Sequence, residues 1–100
     1  MMAILKESDI EGYLAQRVHA MGGEMRKVKW TGRKSAPDRV VMRCCKNPTV
    51  WVELKRPGGK ATFPKNAHEE AQAREHDRMR RAGQYVVVID SFEGVDALLV

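Results

Sequence analysis

Between Val50 and Lys55 the chain reads Val-Trp-Val-Glu-Leu-Lys, and no other segment constrains the fold as strongly. Side chains alternate faces along a strand. Val50, Val52 and Leu54 therefore share an apolar face, while Trp51, Glu53 and Lys55 fall together on the other. A face carrying Glu53 and Lys55 requires solvent, a counter-charge or a ligand. A second strand-like run, Arg39-Val40-Val41-Met42-Arg43, precedes it and is opened by Pro37-Asp38. Lys46-Asn47-Pro48 lies between the runs and predicts a hairpin over 38–45 and 49–55. In such a hairpin Asp38, at the start of one strand, lies beside the end of the other. Two carboxylates and an amine then converge with no contribution from distant parts of the chain.

The rest of the chain reads as one domain over residues 1–100, with a single modest core. Residues 8–21 predict a helix with Ile10, Leu14, Val18 and Met21 on one stripe, stopped by Gly22-Gly23. Ser8 and Glu11 have the spacing of a capping box. A strand is expected over 24–30, then a basic, glycine-containing loop over 31–37. After the hairpin, Pro57, Gly58 and Gly59 mark a loop over 56–64, expected to be mobile. Asn66 caps a second helix to Ala82, stopped by Gly83, with a thin apolar stripe of Ala67, Ala71, Met79 and Ala82. Tyr85 to Ile89 is a continuous apolar strand suited to burial on both faces. Ser91 starts a last helix over 92–100. The order α-β-β-β-α-β-α permits a parallel crossover, giving an α/β fold with a mixed β-sheet flanked by helices.

Charge and cysteine usage narrow the partners. Eighteen Lys and Arg against 13 Asp and Glu give +5, which fits a polyanion. No apolar run spans a bilayer and the N-terminus lacks a signal-peptide core, so no membrane partner is expected. Cys44 and Cys45 are neighbours, a spacing strained for a disulfide and poor for tetrahedral zinc. Free thiols imply a reducing compartment, and the expected location is cytoplasmic.

The acidic pair carries the chemistry. Close carboxylates repel each other, and a divalent cation removes that cost. Mg²⁺ or Mn²⁺ would be held by Asp38 and Glu53, helped by the backbone carbonyl of Leu54. Lys55 would orient the attacking water and offset developing charge. A lone E-x-K reads as a surface salt bridge. Pro37-Asp38 at hairpin distance, with Gly32 ahead of it, favours the functional reading. Here the chain resembles a family. Gly32-Arg-Lys-Ser-Ala-Pro-Asp38, then Trp51-Val-Glu-Leu-Lys55, then Gln72 to Gly83 with Met79 between, resemble the virus-type replication-repair nuclease (VRR-NUC) domain of the PD-(D/E)xK superfamily. The likeness runs roughly from Glu11 to Ile89. It implies a restriction-endonuclease-like fold and divalent-metal-dependent DNA cleavage. For short stand-alone members it also implies selectivity for branched, Holliday-junction-like DNA.

Two further residues enter through that resemblance. Glu11 matches an acidic site residue on the family's first helix, a further metal ligand. Read from the residues alone, its capping-box role with Ser8 explains it fully. Gln72 matches a glutamine near the site, where the bland alternative is an exposed helix amide. Arg33, Lys34 and Arg39 ahead of the hairpin, with Arg56 and Lys60 after it, would clamp the DNA backbone. Arg78, Arg80 and Arg81 read better as cations complementing a helix C-terminus. His19, His68 and His76 read as solvated helix positions, and Trp30 and Trp51 as packing groups. The expected activity is a metal-dependent DNA endonuclease acting as a homodimer, since paired cuts on a two-fold junction need two sites. The apolar Ala97-Leu98-Leu99-Val100 offers a dimer surface, or equally a contact with the chain's own sheet. The alternatives are a non-catalytic basic DNA-binding module and an interaction protein whose acidic pair is structural.

Overall fold

A computed structural model describes residues 4–45 and 47–100. The elements are α1 (Glu7–Ala20), β1 (Glu24–Lys27), β2 (Arg39–Met42), β3 (Val50–Leu54), α2 (Ala67–Arg81), β4 (Tyr85–Ile89) and α3 (Phe92–Leu98). The four strands form one sheet in the order β1-β2-β3-β4. β1, β2 and β3 pair antiparallel, and β4 lies parallel to β3. The α2 crossover makes that parallel pairing possible. The fold is the expected mixed sheet flanked by helices. No helix among the described residues is long and apolar enough to cross a membrane.

The two faces of β3 have opposite characters. Val50, Val52 and Leu54 join Ile10, Leu14 and Val18 of α1, Val41 of β2, and Val95, Leu98 and Leu99 in one buried core. Trp51, Glu53 and Lys55 face the other way, towards α2. The main core therefore lies between the sheet and α1 with α3, and the site face is covered by a different helix. Leu14 is fully buried. Leu14→Ala should lower unfolding free energy by about 2–5 kcal/mol, the usual cost of a large core deletion, as urea titration would measure.

α1 is capped differently from expectation. It begins at Glu7, and the Asp9 carboxylate accepts a 2.8 Å hydrogen bond from the Lys6 backbone N–H. The reach-back belongs to Asp9, which frees Glu11 for another partner. At the other end Gly23 must be glycine, because a Cβ there would lie 2.6 Å from the Met42 carbonyl oxygen. β1 is shorter than expected and leaves the sheet after Lys27. Its ladder is prolonged by one bond from the Val28 N–H to the Asp38 carbonyl, 2.8 Å, which fixes the approach to β2. Trp30 then donates from Nε1 to the Pro37 carbonyl at 2.9 Å and packs on Trp51, ring centroids 5.2 Å apart. Lys46, expected in the hairpin turn, lies outside the described residues.

The later elements correct three further expectations. The buried face of α2 is polar: Glu69, Gln72, Glu75 and His76 are buried, whereas Ala67 and Ala82 are exposed. The reason is the surface it meets, which carries Glu53 and Lys55. Asn66 caps this helix as expected, its side chain accepting from the Glu69 N–H at 2.9 Å. β4 stands at the sheet edge beside β3, so Tyr85 is exposed and Val87 and Val88 only half-buried. α3 ends at Leu98. Leu98 and Leu99 pack into the chain's own core, leaving Val100 exposed, so most of the apolar C-terminus is already used.

Candidate active site

β2 and β3 pair with Arg39 opposite Val52 and Val40 opposite Trp51. One further step along that register sets Asp38 opposite Glu53. Directly opposed residues have Cβ atoms about 4.5–5.5 Å apart and point to the same face. Asp38, Glu53, Leu54 and Gln72 line one open cleft of ≈ 270 Å³, with Ser35 and His68 at its walls. The hairpin thus gathers the two motif carboxylates, and α2 brings the glutamine to them.

Glu53 is held from behind. Its Oε1 lies 3.2 Å from His76 Nε2. The His76 ring is fully buried and stacks on Phe63, centroids 5.6 Å apart. Its Nδ1 has no hydrogen-bond partner among the described residues. The expectation of a solvated helix position for His76 therefore fails. The signal is present in the sequence: Glu69, Gln72 and His76 follow helical spacing and define one stripe, but a polar one. Reading only apolar stripes hides such a face.

Lys55 reaches the same helix. Its Nζ donates to Gln72 Oε1 at 2.7 Å and lies 3.1 Å from Glu69 Oε2 and 5.0 Å from the Phe63 ring centre. Gln72 is therefore a buried partner of Lys55 and not an exposed amide. The loop after β3 has fixed points: Phe63 covers Lys55 and His76, and the Lys60 N–H donates to Asp90 Oδ2 at 3.0 Å.

Asp38 is the open member of the pair. Its Oδ1 lies 2.9 Å from Arg39 Nη1. Arg39 is buried, and donates from Nε and Nη2 to Glu11 Oε1 at 3.2 and 2.8 Å. Burial by itself would weaken the guanidinium's charge, but hydrogen bonding and attraction from Glu11 and Asp38 more than restore it. Arg39 is thus buried at the edge of the cleft, hydrogen-bonded to Glu11 and ion-paired with Asp38, rather than set in the solvent-facing position of a backbone clamp. Glu11 is the partner of Arg39 and does not stand as a third carboxylate beside Asp38 and Glu53. Among the described residues no group of three or more His, Cys, Asp and Glu side chains is placed to hold a metal ion by itself. Of the other expected clamp residues, Lys34, Arg56 and Lys60 are exposed, whereas Arg33 is bound to Glu75 through two hydrogen bonds of 2.9 and 2.7 Å.

The donor set fits one class of metal. Asp38 and Glu53 offer oxygens only, in an open cleft, with the Leu54 backbone beside them. Mg²⁺ needs just one or two protein carboxylates, because waters and substrate phosphates complete its octahedron. A structural zinc site would need four closed ligands rich in sulfur and nitrogen, which this cleft lacks.

Two buried carboxylates of α2 set the acid limit of this face. Burial alone would raise Glu69, but hydrogen bonds from Lys55 and the Lys65 backbone hold it below its ordinary 4.5. Hydrogen bonding from Arg33, first, and then Arg78 holds Glu75 below 4.5 against its burial. A carboxylate lowered in the folded state stabilises fully above its unfolded pKa, and that stabilisation disappears as pH falls through the folded value. The melting temperature should therefore fall as pH drops below about 4.5. Glu69→Gln and Glu75→Gln should each flatten that decline in a pH series of thermal melts.

No family model matches the chain. A protein of Acyrthosiphon pisum secondary endosymbiont phage 1 named "Putative nuclease p44" is 36% identical over 90 residues, which cover 90% of this chain and 88% of the relative. A solved structure described as "VRR_NUC domain" is 33% identical and superposes with a TM-score of 0.73 over 94% of each chain.

Proposed function

The chain belongs to the VRR_NUC domain family, and from that premise we propose that it is a divalent-metal-dependent DNA endonuclease selective for branched or four-way-junction DNA. The observation that carries the reading is the β2–β3 register, which sets Asp38 opposite Glu53 on the face shared with Lys55. Asp38, Glu53 and the Leu54 carbonyl would hold Mg²⁺ or Mn²⁺. When bound, the ion polarises the scissile phosphate and lowers the pKa of a coordinated water.

The protein's own groups do the rest. His76 fixes one oxygen of Glu53. The Arg39 guanidinium, held by Glu11, sets its charge 2.9 Å from one oxygen of Asp38, so Glu11 acts through Arg39. Glu53 then has its orientation set before substrate arrives, which spares reorganisation at the reacting centre. Lys55, on the face of β3 that carries Glu53, is kept in place by Gln72 and Glu69 and would stabilise charge that builds on the phosphate. Lys34, Arg56 and Lys60, all exposed, would take backbone phosphates. A junction with two-fold symmetry calls for two such sites, hence a homodimer.

Digesting labelled duplex, flap, single-stranded and four-way substrates tests this reading. Cleavage of the four-way junction in Mg²⁺ or Mn²⁺, stopped by EDTA, is expected. Binding with no cleavage in any divalent metal would instead assign the chain as a DNA-binding module.

A further inference from the structure

We propose, resting on the nuclease reading, that Arg33, Lys34, Arg74 and Arg78 form a track along which a DNA phosphate backbone runs into the Asp38–Glu53 cleft. These four cations line one groove of ≈ 250 Å³ between the loop after β1 and the outer side of α2. Ser35 lines both this groove and the carboxylate cleft, so the two adjoin there. A strand leaving the reacting phosphate therefore meets the groove first on this side.

The groove is built and not incidental. Glu75 is 5% exposed. It takes Arg33 through both oxygens and Arg78 Nε at 3.0 Å, which pins the basic loop onto the helix. Both of its oxygens are engaged, one of them by both arginines. Among the described residues Arg33 Nη1, the two terminal nitrogens of Arg78, Arg74 and Lys34 make no side-chain bond, and these donors are open to an anion. Four cations facing one committed carboxylate leave the groove positive. Complementing the helix C-terminus does not account for Arg74, which sits in mid-helix where the macrodipole gives a cation nothing. Arg74 and Arg78 are one turn apart and present to the same side. Phosphate neutralisation by such a row is the main source of non-specific nucleic-acid affinity.

Fluorescence anisotropy with a labelled four-way junction in EDTA, where nothing is cut, tests the track. Arg74→Ala and Arg78→Ala should each weaken binding about fivefold or more. Each should also reduce the slope of log affinity against log salt by about 0.9, the signature of one lost phosphate contact. Arg26→Ala on β1, outside the groove, should change affinity less than twofold. Thermal melts of the same proteins exclude unfolding as the cause, since Arg74 has no ion-pair partner to lose among the described residues. Tight binding by the unsubstituted chain with both α2 variants unaltered in affinity and salt slope would overturn the track while leaving the nuclease reading intact. No binding by the unsubstituted chain would overturn both.

Discussion

Asp38→Asn and Glu53→Gln should each slow single-turnover DNA cleavage by at least about a thousandfold, roughly 4 kcal/mol of transition-state stabilisation. Junction binding should stay within about threefold of the unsubstituted protein or tighten slightly, because an anion facing a phosphate has been removed. Both substitutions keep size and shape, so they test charge alone. A glutamine amide at position 53 can still bond His76, and Asp38 is exposed, so the fold should survive either change. Each side chain supplies one of the two carboxylates that the β2–β3 register sets opposite each other in the cleft, and a hard cation that loses one of the pair is held weakly. Quenched-flow cleavage under saturating protein, paired with anisotropy, separates the two effects. A loss below tenfold in both variants would remove these residues from the metal site.

Lys55→Met should cost about a hundredfold or more in the same single-turnover rate, the usual range for removing one preorganised donor from a charge-building centre. It should also lower the melting temperature, because Glu69 and Gln72 lose their buried partner. These two consequences must be told apart. Glu69→Gln removes the ion pair but keeps the amine and its bond to Gln72. It should therefore share the stability loss while retaining most of the cleavage rate. If Glu69→Gln is as slow as Lys55→Met at matched stability, Lys55 is scaffolding for α2 and not part of the reacting centre.

The legible part of this protein is the part written in local alternation. Val50 to Lys55 displays both faces of β3, and the register with β2 follows from a short hairpin, so the Asp38–Glu53 juxtaposition can be read from the order of residues alone. The Asn66 cap, the Gly83 stop and the parallel β4 come from equally local signals. What escapes depends on partners distant in sequence. Glu11 has the spacing of a capping residue, yet Asp9 takes that role because the N-cap is Lys6, two residues before Ser8, and Glu11 turns to Arg39, 28 residues on. Arg39 resembles one more loop cation, because nothing in its own segment announces burial between two acids. His76 reads as solvated because its neighbours on α2 are charged, and the burial of that face follows from charges presented by β3. Polar faces that meet polar faces satisfy their bonds across the interface, and hydrophobic patterning does not reveal them.

The central claim is that Asp38 and Glu53 together bind a divalent ion at the point of cleavage. Crystals grown or soaked with Mn²⁺, measured at an anomalous wavelength, address it without relying on catalysis. The expected result is an anomalous peak in the Ser35–Gln72 cleft, about 2.1 Å from one carboxylate oxygen of each residue, and absent from Asp38→Asn crystals. A cleft without a peak in protein that still cuts DNA only when Mn²⁺ is added, or a peak held by other side chains, would contradict it.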